Sequence, residues 1–291
     1  MKKQKSSKAA AGRTGRGGAG RRQSAWLWYA AGTLVFLFAV LQAYAPALSG
    51  EFLFDDSYLP FADPGFADRS VRAWTGIRPL LMITFWINYR FFGNELFWLH
   101  LFNVLLHFLN GCLVFLIARR LLAKAGEDAR LDLLSAAAAG IFLLHPIQTE
   151  SVAYITSRSE VLSVLFFYGA LAVFLYRREE AISLREAAAV LALFGSAVLT
   201  KEHTAVLPVL LVLTDLFFGS GSAFAALRRN WRLYLPVVLA GAAGGVFVWR
   251  VLSASDSAGF RLRDLAWYQY FFTQCRVIWM YVRLVLLPYG Q

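Results

Sequence analysis

Carboxylates and cations placed at the ends of apolar runs are the residues of this chain whose types could do chemistry. Asp55 and Asp56 sit together in Phe52-Leu53-Phe54-Asp55-Asp56-Ser57-Tyr58, directly after the first long apolar run. Farther along, His145 and Glu150, then Arg158 and Glu160, then Lys201 and Glu202 occupy other run ends, and Arg78 precedes Pro79. A carboxylate can serve as general base toward a hydroxyl. Cations can hold a phosphate leaving group and offset the charge that grows on it. Together these groups suit attack of a hydroxyl on the anomeric carbon of a lipid-linked sugar phosphate, through an oxocarbenium-like transition state. Plainer readings stand beside this one. Arg158 and Glu160 could staple two helix ends as a salt bridge. Lys201 and Glu202 could snorkel at a span end, and Asp-Asp could be a solvated turn.

A second set, His100, Asn103 and His107, falls at offsets of three and seven and so shares one helix face. With His145 or Asp56 it could ligate a metal. Interhelical hydrogen bonding or substrate contact is the plainer expectation, and no metal or other cofactor is assigned. Cys112 and Cys275 both lie in apolar runs and read as free thiols. Thr214 and Asp215 fall at the other end of a run and read as a helix-end contact.

The elements that must position these groups are apolar helices. Of 291 residues 58% are hydrophobic and only 16% charged, with mean hydropathy +0.53. A soluble domain carries about 25% charged residues, so a water-facing surface is excluded and a polytopic helical membrane protein is expected. The predicted spans are 24–48, 96–122, 131–144, 159–176, 184–199, 204–218 and 233–252. An eighth segment, 267–287, carries Gln269, Arg276 and Arg283 every seven residues and reads either as a span or as a surface helix. Residues 79–92 are too short to cross and suit the interface. The first run is longer than a signal peptide core and reads as an uncleaved span. The fold class is therefore all-α, with about seven or eight transmembrane helices and a long first extracytoplasmic loop.

The net charge of +11 is unevenly placed. Residues 1–22 hold Lys2, Lys3, Lys5, Lys8, Arg13, Arg16, Arg21 and Arg22 with no acid, and read as a disordered basic tail touching lipid headgroups rather than nucleic acid. Connections on the same side as this tail add Arg119, Arg120, Lys124, Arg130, Arg177, Arg178, Arg185, Arg228, Arg229 and Arg232. By the positive-inside rule the N-terminus lies in the cytoplasm. Every candidate site group then falls on the extracytoplasmic side, although Arg261 and Arg263 also fall there.

Several short motifs carry a family resemblance. Phe54-Asp55-Asp56, Arg78-Pro79-Leu80, His100-Leu101-Phe102-Asn103-Val104-Leu105-Leu106-His107, His145-Pro146-Ile147-Gln148-Thr149-Glu150-Ser151-Val152, Ser157-Arg158-Ser159-Glu160 and Lys201-Glu202 follow one another in the order and setting of a GT-C type glycosyltransferase. The chain resembles the membrane half of the O-mannosyltransferases that also carry tetratricopeptide repeats, and their bacterial relatives. The resemblance implies a GT-C-like membrane domain over 23–291, expected to be incomplete at its C-terminus. It implies transfer of a mannose-like sugar, with inversion, from a polyprenyl-phosphate carrier to a Ser or Thr hydroxyl of an acceptor protein. In its terms Asp55 is the base and Asp56 its partner or a donor contact. Arg158, Glu160, Lys201, Glu202 and Arg78 serve the donor phosphate and sugar. His145 and Glu150, with His100, Asn103 and His107, support the acceptor side. The expected location is a bacterial inner membrane. A flippase for lipid-linked sugars and a non-catalytic scaffold subunit are the alternative functions.

Overall fold

The structure is a computed structural model that describes residues 14–59, 65, 69–74, 78–254 and 266–289. Within them the chain is helical, with no strand. α1 (Thr14–Ala43) leads through a 3-10 turn (Ala45–Ser49) to a second one (Phe54–Tyr58) that carries the acidic doublet. After α2 (Val71–Trp74) come α3 (Pro79–Phe92), α4 (Leu96–Lys124) and α5 (Leu131–Leu144). A turn (Pro146–Gln148) and α6 (Thr149–Ala153) lead into α7 (Arg158–Leu175) and α8 (Leu184–Thr200). Another turn (Glu202–Val206) opens α9 (Leu207–Asp215), which ends in a π turn (Leu216–Ser220). α10 (Ala223–Arg229), α11 (Trp231–Ala254) and α12 (Trp267–Leu286) complete the described chain.

Among the described residues, four helical stretches are long and apolar enough to cross a membrane: Trp26–Ala43, Leu96–Lys124, Arg158–Leu175 and Glu202–Gly219. A fifth results if α5 and the Pro146–Ala153 segment, bent by 51°, count as one span. The larger number expected from hydropathy rested on three further helices. Of these, α8 has 17 residues, α11 is apolar as a short stretch over Trp231–Ala242, and α12 is interrupted by Arg276 and Arg283. α1 starts at Thr14 and so takes in residues 14–22 of the basic tail. The rest of that tail lies outside the described residues, as do Arg261 and Arg263.

Local sequence sets the helix limits. α5 stops at Leu144 because His145 precedes a proline, which disfavours helical backbone there; His145 has ψ 128°. α8 begins at a reciprocal cap, with the Ser183 hydroxyl accepting from the Glu186 amide at 3.3 Å and the Glu186 carboxylate accepting from the Ser183 amide at 2.9 Å. Gly111 lets α5 close on α4, since a Cβ there would meet the Leu143 side chain at 2.5 Å.

The helices alternate in direction. Asn110 of α4 donates to the Val161 carbonyl and Arg120 to that of Leu175, so α4 and α7 run parallel. α5, packed on α4, and α8, packed on α7, run back antiparallel to them, as the Arg119–Asp132 and Glu160–Lys201 pairs show. One core, around Val40, Phe85, Leu99, Val104, Leu143 and Ile155, lies under the end that carries the acidic doublet, here the site end. A second, around Phe174, Leu175, Val190, Leu207, Leu211 and Leu233, fills the opposite end.

Candidate functional site

The turn Phe54–Tyr58 gives its two carboxylates different surroundings. Asp56 is buried: one oxygen accepts from the Thr156 amide at 2.8 Å and the other from the Leu53 amide at 3.4 Å. It therefore caps its own turn and sews that turn to the segment before α7. Asp55 is exposed, and its carboxylate has no hydrogen-bond or ion-pair partner among the described residues. What holds Asp55 is its main chain, whose amide donates to the Tyr154 hydroxyl at 2.7 Å.

Arg158 is fully buried at the start of α7. Its Nε donates to Asn103 Oδ1 at 2.9 Å, and its Nη2 to Asn88 Oδ1 at 2.9 Å and the Leu99 carbonyl at 3.0 Å. Nη1 reaches the Thr84 carbonyl at 3.4 Å, and the guanidinium lies 4.1 Å from the Phe85 ring centroid and 4.6 Å from that of Phe102. The sequence places Arg158 at the donor phosphate and sugar. Here its guanidinium is enclosed by two rings and occupied by four amide and carbonyl groups, and it locks α3, α4 and α7 together. It is not bridged to Glu160. Asn103, also buried, extends the lock by donating to the carbonyls of Tyr154 at 3.1 Å and Ile155 at 3.4 Å. The chain Arg158, Asn103, Tyr154 thus ends on the Asp55 amide.

Next to this lock lies a half-exposed set of charges. Glu160 pairs through one oxygen with Lys201 Nζ, and its other oxygen lies 3.8 Å from His203 Nε2. Lys201 also reaches Ser159 Oγ at 3.5 Å, and Ser159 donates to the Thr156 carbonyl at 3.2 Å, beside the amide that binds Asp56. Glu202 faces the other way and pairs with Arg78 at 3.1 Å, both side chains exposed. The structure therefore brings Asp55, Asp56, Glu160, Lys201, Glu202 and Arg78 to one end of the bundle through contiguous contacts. The Lys201-Glu202 dipeptide splits between two pairs, and neither residue is an isolated snorkelling charge.

The histidines divide. His145 accepts from the Ile147 amide on Nδ1 at 3.2 Å, and its Nε2 bonds the Val285 carbonyl at 3.0 Å, tying α12 to the site end. His100 bonds the Gly50 carbonyl at 3.2 Å and His107 the Leu143 carbonyl at 3.1 Å, both buried. Each histidine of α4 bonds a carbonyl at an element end, and His100, Asn103 and His107, expected on the acceptor side, are all buried. Glu150 is exposed on α6. Among the described residues, no three His, Cys, Asp or Glu side chains gather as metal ligands.

Tyr154, Asn88 and His203 were not among the predicted site residues. His203 follows Lys201-Glu202 and was legible as part of that charged run. Tyr154 and Asn88 act through contacts between residues 99 and 70 positions apart, which no local pattern signals.

No family model matches the chain, and no solved structure matches it. Among curated proteins it is similar to a protein O-mannosyl-transferase of Caenorhabditis elegans, 26% identical over 50% of this chain and 23% of that protein. It is similar to protein O-mannosyl-transferase Tmtc1 of Drosophila melanogaster, 39% identical over 35% of this chain and 11% of the relative. It is also similar to protein O-mannosyl-transferase TMTC1 of Homo sapiens, 30% identical over 52% of this chain and 19% of the relative. The chain thus spans less than a quarter of the length of these curated relatives.

Proposed function

We propose that this chain is the membrane part of a GT-C type glycosyltransferase that moves a mannose-like sugar from a polyprenyl-phosphate carrier to a protein Ser or Thr hydroxyl. The observation that carries the reading is the exposed carboxylate of Asp55, without a partner among the described residues and held through its main chain at the same end of the bundle as the Glu160–Lys201 and Arg78–Glu202 pairs. The names of the similar proteins support the reaction class. In this reading Asp55 takes the proton of the acceptor hydroxyl as that oxygen attacks the anomeric carbon. The bond from that carbon to the phosphate oxygen breaks with its electron pair, leaving polyprenyl phosphate. Lys201 and Arg78 lie where they can offset the phosphate charge, with Glu160 and Glu202 holding each cation in place until donor arrives. Asp56 and Arg158 position rather than react. The site end faces outside the cytoplasm, following the distribution of Lys and Arg.

The test is transfer of radiolabelled mannose from polyprenyl phosphate to a Ser/Thr peptide by the protein in lipid vesicles. Removing a positioned general base costs about 10²- to 10⁴-fold, so Asp55→Asn is expected to lose transfer by that factor at unchanged folding. Equal rates for Asp55→Asn and the parent would remove Asp55 from the chemistry. Labelled carrier that crosses the bilayer without transfer would instead favour the flippase.

A further inference from the structure

Away from the site end, a cavity of about 830 Å³ opens between α1, α4 and α5. α1 meets its neighbours closely near its C-terminal end, where Val40 and Tyr44 are buried, and there Phe36 lies over Gly140. Toward the opposite end α1 stands off, and Trp28 is 78% exposed. One end of the gap is bridged by a three-helix tie: the Tyr29 hydroxyl donates to Asp132 at 2.7 Å and Arg119 Nε donates to the other oxygen of Asp132 at 2.7 Å. Between this polar tie and the Leu143 side chain the walls are apolar and aromatic, with small residues at Gly32 and Ala136 leaving the room. A Cβ at Gly32 would meet nothing within 4 Å.

We propose that this cavity holds an acyl chain of a membrane phospholipid, entering beside α1 with the lipid headgroup at the Tyr29–Asp132–Arg119 tie. The volume falls in the range of about 300–1,000 Å³ typical of sites that enclose a small apolar ligand. The site lies between two helices long and apolar enough to span, α1 and α4, so hydrocarbon is the medium at its opening. Water is a poor occupant, because an apolar cavity offers it too few hydrogen-bond partners. The polar groups sit together at one end, which matches a chain with one polar terminus. Since Arg119 and Asp132 already neutralise each other, the mouth does not demand an anion, and the chain rather than the headgroup is what the site recognises. This points to the bulk phospholipid rather than to a polyprenyl phosphate. The inference stands apart from the proposed transfer chemistry, whose groups are at the other end.

The probe is a phosphatidylglycerol with a photoactivatable diazirine in mid-chain, incorporated with the purified protein in vesicles, and labelled peptides are read by mass spectrometry. Labels are expected on the α1 stretch containing Gly32 and Phe36 and the α4 stretch containing Gly111 and Phe115. Gly32→Leu fills the open volume and is expected to lower that labelling about tenfold, equivalent to ~1.4 kcal/mol of occupancy. Gly195→Leu, on α8 at a position where a Cβ also meets nothing, is expected to leave it unchanged. A phosphatidylethanolamine probe should label equally. Undiminished labelling in Gly32→Leu would overturn the proposal, as would loss of label on adding equimolar polyprenyl phosphate. Should Gly32→Leu fail to fold, Ala136→Leu fills the same space from α5 and decides the question by the same readout.

Discussion

At the scale of single residues, the acidic doublet separates into a group that builds and a group that is free to act. Asp56 spends both oxygens on backbone amides, whereas Asp55 is held by its amide and keeps its carboxylate. The same division explains Arg158. A buried charge is tolerated when hydrogen bonds satisfy it, and a buried neutral acceptor left without its donor costs about 1–3 kcal/mol. Arg158→Met is expected to lower stability by that order and to release the Tyr154 segment, because Asn103 and Asn88 lose their donor. Thermal unfolding in detergent measures the first, and faster amide exchange over 153–157 the second; an unchanged melting temperature would show that the lock does not bear on the fold. The doublet and the run-end charges were legible as types in the sequence. Which aspartate is buried was not, because that depends on an amide a hundred positions away. Arg158 looked like a phosphate ligand because guanidinium suits phosphate. In the fold its partners are amides and carbonyls contributed by two other helices, α3 and α4, and nothing in the sequence brings them together.

At the scale of elements, hydropathy located nearly every helix, with α4 and α5 matching the expected runs closely. The His145-Pro146 break was legible too, and the structure adds what it does: it exposes the Leu143 and Leu144 end of α5 to His107 and aims His145 at α12. α12 is otherwise largely exposed, so its docking relies on few contacts. A single hydrogen bond contributes about 1 kcal/mol. His145→Ala is therefore expected to raise hydrogen exchange over 280–287 several-fold while leaving α4 and α7 unchanged. Uniform protection in the variant would mean that α12 is held by something other than this bond. Whether α12 spans was undecidable from its seven-residue polar repeat, because a surface helix and a span with inward arginines share that pattern.

At the scale of the whole molecule, the two ends of the bundle are organised differently. The opposite end is closed by buried charge: Asp215 pairs with Arg177, lies 3.6 Å from Arg229, and accepts from Asn230 Nδ2 at 2.5 Å, and Asn230 in turn accepts from the Ile182 amide at 2.8 Å. This agrees with the helix-end role expected of Asp215. Asp215→Asn leaves the buried Arg177 without its carboxylate, while Arg229 keeps Glu180 at 3.0 Å, and is expected to cost about 3–5 kcal/mol, read as a lowered melting temperature. Mannose transfer per folded molecule should be retained, since the site end is built from other groups; a selective loss of transfer at unchanged stability would contradict this division. The distribution of Lys and Arg gave an orientation from sequence, but it could not give the cavity beside α1, which arises from how far one helix leans from two others.

The way the Phe54–Tyr58 turn is anchored sets what natural variation there would look like. Because the fold grips position 55 by its main chain alone, alleles altering that side chain should accumulate to ordinary levels and occupy the same membrane as silent copies. Alleles at position 56 should instead be cleared as misassembled chains. Two neighbouring codons would then produce opposite phenotypes, an abundant inert protein and a missing one.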